Sequence, residues 1–203
     1  MTKKKIERDN LTFVLDEENK TASLFHCQSL NGDVFIPTII TNDSKDFIVT
    51  DILENAFKNS KSIKSIQFSE DSKIQSIGKN AFYCSSLENI TIPSSVTQIG
   101  ERAFYHCLKL RSVEFSGDSQ LNSIETNVFS YSSIENINIP NRVSQIGKRA
   151  FSYCKKLEKA VLSSNTKLLD KEAFSGSSIE IIKIPPKVRQ ICEGAFSNCK
   201  KLH

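Results

Sequence analysis

The chain contains no tryptophan, one methionine, three histidines and seven glycines in 203 residues. It also lacks any apolar run approaching the ~20 residues of a membrane-spanning helix, so no membrane insertion is expected. Charge of one sign is scarce as well: 27 Lys and Arg stand against 23 Asp and Glu, a surplus of +4 spread along the whole chain. A nucleic-acid binder needs a concentrated basic footprint, and none is present. Behind Met1-Thr2-Lys3-Lys4-Lys5-Ile6-Glu7 there is no apolar stretch, so no standard signal peptide is visible. Gly-x-Gly-x-x-Gly, the P-loop, Gly-x-Ser-x-Gly, His-Glu-x-x-His and Cys-x-x-Cys are all missing. No catalytic residue, metal ligand or cofactor is therefore expected. Composition does not point to disorder, since 38% hydrophobic and 25% charged residues are ordinary globular values.

What the chain does have is phenylalanine, 13 of them. Seven follow an Ala or a near relative, at Phe57, Phe82, Phe104, Phe129, Phe151, Phe174 and Phe196, in steps of 25, 22, 25, 22, 23 and 22. Every second Phe is 47, 47, 47, 45 and 45 residues from its counterpart. A fixed period in the twenties marks a solenoid. Five or six residues after each Phe stands Leu or Ile, as at Leu87, Leu110, Ile134 and Leu157, followed by alternation such as Asn89-Ile90-Thr91-Ile92. That alternation predicts a half-buried strand. In alternate units the strand ends in Ile-Pro (Ile92-Pro93, Ile139-Pro140, Ile184-Pro185), because proline has no donor for a ladder. The other units end in Phe-Ser or Leu-Ser and a polar turn. Each unit closes with Val or Leu, then Ile, often Gly, and Ala-Phe, all aimed at one core. A coil of about 23 residues cannot bury its own apolar face, but stacked coils bury a continuous one. The repeated Phe, Ile, Ala and Gly are therefore read as core, turn or backbone fit.

The run Ile92-Pro93-Ser94-Ser95-Val96-Thr97-Gln98-Ile99-Gly100-Glu101-Arg102-Ala103-Phe104-Tyr105-His106-Cys107-Leu108-Lys109-Leu110 resembles the BspA-type leucine-rich repeat, as do Ile139 to Leu157 and Ile184 to Leu202. The resemblance covers roughly residues 33–203. It implies a right-handed leucine-rich-repeat solenoid of α/β horseshoe-like form. A parallel sheet would line its concave side, with short strands and helical turns on the convex side. It also implies a surface or secreted protein used in adhesion.

Three segments are expected. Residues 1–9 read as a disordered basic tail. Residues 10–50 read as an N-terminal β cap, built from a hairpin (Leu11–Asp16 and Thr21–Cys27, turning at 17–20) and an irregular first coil at Asp33–Pro37. Residues 51–203 read as about seven repeats of 22–25 residues with no C-terminal cap. Because the chain stops at Leu202-His203 as a strand should begin, either it belongs to a longer protein or its last layer, around Ile191, Phe196 and Leu202, is covered by self-association.

Six cysteines would ordinarily suggest disulfides. Cys107, Cys154 and Cys199 instead occupy equivalent slots 47 and 45 residues apart. Two coils separate their Cα atoms by roughly 9–10 Å, beyond the ~7 Å a disulfide allows. They read as small buried hydrophobes, and mostly free thiols favour a reducing setting. Only Cys84 and Cys107, in adjacent coils, are left open as a pair. His106 beside Cys107 could be taken for a Cys–His pair, but neighbours in a strand or turn point apart, and sister units carry Tyr153 and Asn198 in that slot.

The outward residues of the strands form the expected concave binding face: Ser65 and Gln67, Asn89 and Thr91, Ser112 and Glu114, Asn136 and Asn138, Lys159 and Val161, Ile181 and Lys183. The first four pairs are small and polar and suit hydrogen bonding to a peptide or glycan. The last two set β-branched side chains beside lysines, the composition of an interaction patch. A basic cluster of Lys155, Lys156, Lys159, Lys167, Lys171, Lys183, Lys187, Arg189, Lys200 and Lys201 reads either as a solvated face or as a contact for a sulfated glycan or acidic protein surface. Asn-x-Ser/Thr occurs at Asn10, Asn19, Asn42 and Asn89; a sugar on Asn89 would obstruct the face. The expected function is non-enzymatic protein or glycan binding, in an adhesin-like surface protein. Its rival is an intracellular scaffold or regulatory protein, since the missing signal peptide leaves the cytoplasm open.

Overall fold

A computed structural model describes residues 4–27 and 31–203. The elements in chain order are β1 (Lys4–Arg8), β2 (Leu11–Asp16), β3 (Thr21–Cys27), β4 (Gly32–Ile36), β5 (Ile39–Asn42), β6 (Lys45–Ile52), β7 (Ile63–Phe68), β8 (Ser76–Ile77), β9 (Asn89–Ile92), β10 (Gln98–Ile99), β11 (Ser112–Phe115), β12 (Ser123–Ile124), β13 (Asn136–Asn138), β14 (Gln145–Ile146), β15 (Lys159–Val161), β16 (Leu168–Leu169) and β17 (Gln190–Ile191). From β7 onward the chain is a β-solenoid. Each coil makes one longer strand, reduced in the last to a bridge at Ile181, then a turn, a two-residue strand and a pair of tight turns around its Phe. Longer strands stack in parallel on one wall, and two-residue strands stack in parallel on another.

One coil shows why these residues take this form. Leu87, Ile90, Ile92, Val96, Ile99, Ala103, Phe104 and Cys107 all point inward and are at most 2% exposed. Each buried Leu, Ile or Phe contributes about 1.5–3 kcal/mol. The Phe rings form one column: successive centroids lie 4.8, 5.0, 5.3, 5.4, 5.2 and 5.5 Å apart with planes within 18°. That rise is close to the ~4.7–4.9 Å between paired strands, so backbone ladder and ring stack share one repeat. Phe196, stacked on one side by Phe174, is half-buried where the other six rings are buried.

The helical turns expected on the convex side are not there; among the described residues no helix occurs. Each Phe is instead flanked, two residues before and two after, by residues of positive φ: Asn80 and Cys84 (both φ 54), Arg102 and His106 (both φ 58), Arg149 (φ 55) and Tyr153 (φ 57). Hydrogen bonds from Ala81 N–H to Gly78 C=O (3.2 Å) and from Ser85 N–H to Phe82 C=O (3.0 Å) close two turns with positive φ at their third residue, the signature of type II. Two such turns leave three N–H groups per coil pointing along the axis. Asn80, Phe82 and Cys84 donate to Glu101, Ala103 and Tyr105 of the next coil at 3.0, 2.7 and 2.9 Å. A helix would have spent those donors within its own coil.

At the N-terminal end the expected hairpin is present. β2 and β3 pair antiparallel, and the Asp16 carboxylate accepts the N–H groups of Glu18 and Asn19, each at 3.0 Å, to close the turn. Two expectations are corrected. Residues 4–8 are not a disordered tail: β1 pairs antiparallel with β2, burying Ile6 opposite Phe13, while Lys4 pairs with Asp43 at 2.6 Å. Residues 1–3 of that segment lie outside the described residues. The coil at Asp33–Pro37 is not irregular, since β4 pairs in parallel with β7 from Asp33↔Ser65 to Ile36↔Phe68. Between them β5 and β6 make an antiparallel hairpin turned by Asp43 and Ser44 at φ 50 and 59, the conformation of a type I′ turn.

Candidate functional site: the exposed face of the strand wall

Alternation along β4, β7, β9, β11, β13 and β15, continued at Ile181, puts one set of side chains into the core and the other into solvent. Gln67, Asn89, Thr91, Glu114, Asn136, Asn138, Lys159, Val161, Ile181 and Lys183 stand exposed on one wall, as the alternation requires, and Ser112 is half-buried. Ser65 departs from the expectation. It is 9% exposed, and its hydroxyl donates to Asp33 at 2.6 Å, so it braces β4 against β7 and is withdrawn from the surface. The row also begins one strand earlier than expected. Asp33 and Phe35 face outward from β4, and Phe35 is 57% exposed. The signal was available: Ile36-Pro37 repeats the Ile-Pro ending and puts Phe35 in the slot of Thr91 and Asn138. The wall is thus apolar near both ends and rich in amides and hydroxyls between.

The wall is not evenly paired. β4 with β7, β9 with β11 and β13 with β15 are matched over several residues. β7 meets β9 only at Ser65↔Asn89 and Ile66↔Ile90, β11 and β13 are unpaired, and β15 meets the next coil in the single bridge Lys159↔Ile181. Proline explains the alternation. The first two well-matched pairs are closed by Ser69 N–H and Ser116 N–H donating to Ile36 and Ile92 C=O at 3.3 and 2.9 Å. At the intervening junctions the same position is Pro93, Pro140 and Pro185, which have no N–H. The strand ends part there, and a cleft opens at each. One of about 430 Å³ lies between Gln67-Phe68 and Thr91-Pro93, one of about 530 Å³ between Glu114-Phe115 and Asn138-Pro140, and one of about 790 Å³ between Val161-Leu162 and Ile181-Pro185.

Every cleft carries a carboxylate: Glu70 in the first, Glu114 and Asp118 in the second, Glu158 and Glu180 in the third, where Lys159 and Lys183 accompany them. Three members of the basic cluster read from the sequence have polar side-chain partners. Lys171 meets Glu193 at 2.8 Å, Lys201 meets Glu180 at 3.3 Å, and Lys187 donates to the Asn165 side chain at 2.6 Å.

The turn side carries a feature the sequence reading missed. Tyr83 stacks on Tyr105 at 5.3 Å and Tyr131 on Tyr153 at 4.9 Å, while Tyr105 meets Tyr131 edge-on at 5.6 Å. The edge contact arises because tyrosine follows its Phe by one residue in two coils and by two in the next two. Arg102 and Arg149 flank the stripe over a polar cleft of about 320 Å³. The Arg149 guanidinium is engaged by both Glu172 oxygens, at 2.7 and 3.1 Å, which holds that carboxyl below its usual range. Burial, with the neighbouring tyrosines, pushes the Tyr131 phenol upward.

Cys84, Cys107, Cys154, Cys192 and Cys199 are free thiols, so Cys84 and Cys107 do not pair. Cys107 and Cys154 are more than inert filler: their thiols donate to Phe82 and Phe129 C=O at 3.0 and 3.1 Å and touch the hydroxyls of Ser85 and Ser132 at 3.4 Å. Burial pushes them up to about 12 and about 11. The imidazole next in sequence turns away from Cys107; His106 Nδ1 lies 3.5 Å from Cys84 Sγ in the preceding coil. Among the described residues no group of three or more His, Cys, Asp or Glu is arranged to hold a metal ion, and no helix is long and apolar enough to cross a membrane.

The model of the BspA type leucine rich repeat region matches residues 28–155 and 75–203, in 6 copies. A search of curated proteins found no match. Among solved structures, a leucine rich cell surface protein from Faecalibacterium prausnitzii is 28% identical with a TM-score of 0.82; the alignment covers 100% of this chain and 54% of that protein, so the chain spans about half its length. The leucine rich repeat protein of T. pallidum is 24% identical, TM-score 0.86, over 98% of this chain and 91% of its own. The pneumococcal vaccine antigen PcpA is 21% identical, TM-score 0.66, over 99% and 70%. The last two speak to the fold alone.

Proposed function

The chain belongs to the BspA-type leucine-rich-repeat family, and from that premise we propose that it is a non-enzymatic binding solenoid displayed at a cell surface, where it takes a protein or glycan on the exposed face of its strand wall. The observation that carries this reading is the division of labour within each strand. Inward positions stay apolar from coil to coil, holding Ile, Val, Leu, Phe or Ala. Outward positions change at every coil, and all except Ser65 and Ser112 stand exposed. A surface held on a stacked core is ordered before it meets its partner and loses little entropy on binding. The cell-surface description of the F. prausnitzii relative supports the location proposed.

A second reading, an intracellular scaffold, is favoured by one observation: the free thiols of Cys84, Cys107, Cys154, Cys192 and Cys199 suit a reducing compartment. The deep burial of Cys107 and Cys154 weakens it, because such thiols survive unpaired outside the cell as well. The separating measurement is protease added to intact cells that make the protein. Cleavage without lysis supports surface display; full protection until lysis transfers the proposal to the scaffold. The face is tested by replacing Gln67, Asn138 and Val161 together with Arg in the full chain. Loss of partner capture with an unchanged melting temperature is expected, and unchanged capture would remove the strand wall as the binding surface.

A further inference from the structure

The three clefts of the strand wall recur with the proline, every second coil. Equivalent edges at Phe68, Phe115 and Leu162 are 47 residues apart. Two coils at strand spacing place neighbouring clefts about 9–10 Å apart. We propose that this row is a register for an unbranched, neutral, β-linked glycan, one disaccharide to each cleft. The proposal rests on the reading of the strand wall as the binding face and names the ligand class it takes.

Three observations carry it. The first is the period. In an extended β-linked chain successive sugars face opposite ways, so equivalent groups return every second sugar, over a length comparable to the cleft spacing. The second is the lining. Gln67, Asn89 and Thr91 at the first cleft and Asn136 and Asn138 at the second offer amides and a hydroxyl, each able to donate and accept with sugar hydroxyls. The third is charge. Glu70 stands in the first cleft and Glu114 with Asp118 in the second, so a sulfated or uronic polymer would meet like charge at both, while in the third Lys159 and Lys183 offset Glu158 and Glu180. A proline-rich peptide has a similar three-residue rise, but its recognition uses aromatic-lined grooves. Here the tyrosines lie on the turn side of the coil, and the rings at the cleft edges, Phe68 and Phe115, are partly buried and packed against the core, with Leu162 at the third edge.

Three linked subsites predict a staircase. Each added disaccharide should tighten binding until the row is full, because later contacts form within an already bound chain. The experiment is calorimetric titration of the full chain with β-1,4-linked oligomers of glucose and of N-acetylglucosamine, two to eight sugars long. Kd is expected to fall at least about fivefold from two to four sugars and again from four to six, then level off. Asn138→Ala in the middle cleft should flatten the step from two to four sugars, because a tetrasaccharide across two neighbouring clefts always uses the middle one, while a disaccharide still binds at the outer clefts. No binding at any length, or a Kd independent of length, would overturn the register. Capture of a lysine-rich peptide or a folded protein, lost in the Gln67, Asn138 and Val161 triple variant while all oligomers fail, would overturn it too and leave the strand-wall reading standing. Failure of that triple variant to change any binding would remove the strand-wall reading itself.

Discussion

The thiol of Cys154 donates to the carbonyl of Phe129 in the preceding coil, 3.1 Å away. Cys107 does the same to Phe82 at 3.0 Å. Both protons are retained in the fold well above the ordinary thiol value of 9.0, up to about 11 for Cys154 and about 12 for Cys107. The unfolded chain releases them first, so the stabilisation is complete below pH 9 and is lost as pH rises through the interval up to the folded values. Each thiol then lowers stability by up to about 1.4 kcal/mol per pH unit. Urea melts between pH 8 and 10.5 should show this slope, and Cys107→Ala with Cys154→Ala should remove it. Thiol reagents should reach the half-buried Cys84, Cys192 and Cys199 before the buried Cys107 and Cys154.

Thr166 fills the slot that Val96 and Val143 fill in sister coils, fully buried, and its hydroxyl has no hydrogen-bond partner. Thr166→Val should stabilise the fold by about 1–2 kcal/mol, since a buried hydroxyl without a partner costs about 1–3 kcal/mol. Thermal or urea denaturation reads the gain directly. A loss of stability would mean that the hydroxyl is satisfied in solution.

A Cβ at Gly100 would sit 2.7 Å from the backbone nitrogen of Lys79 in the coil before it. The obstacle is rigid main chain, so Gly100→Ala should force the two coils apart and cost about 1–3 kcal/mol. Gln98→Ala, exposed two residues earlier, is the matched control and should change the midpoint little.

Phe129 and Phe196 test the one-dimensional nature of the fold. Phe129 is buried between two rings; Phe196 is half-buried against one. Phe129→Ala should cost about 3–5 kcal/mol, and Phe196→Ala clearly less. Equal losses would argue against stability carried mainly between neighbouring coils.

The period and the strand were legible because they are written in side-chain type: Ile90 and Ile92 inward, Asn89 and Thr91 outward, is a pattern of two. The turns were not. Arg102, Arg149 and Glu172 hold positive φ although none is a glycine or asparagine, because three coil-to-coil hydrogen bonds dictate the backbone whatever the side chain. Strand β1 was hidden for a related reason. Lys4-Lys5-Ile6-Glu7-Arg8 has one apolar residue, and its order comes from pairing with β2 rather than from its own composition. On the binding wall, exposure followed from alternation, but the Ser65–Asp33 bond joins residues 32 apart and carries no local signature. The clefts were half-written. Ile-Pro was read as a strand end, yet the missing N–H acts on the neighbouring strand, a contact that appears only once the coils are stacked.

That missing N–H also sets the unit in which such a molecule can grow. Ile-Pro and Phe-Ser coils are complementary: one supplies the carbonyl that the other's N–H closes on. Duplicating a segment of 45–47 residues preserves the alternation, whereas inserting a single coil of 22–25 would set like against like and either leave two prolines at adjacent strand ends or erase a gap. Length variation by whole coil pairs keeps the pattern; variation by one coil disturbs it.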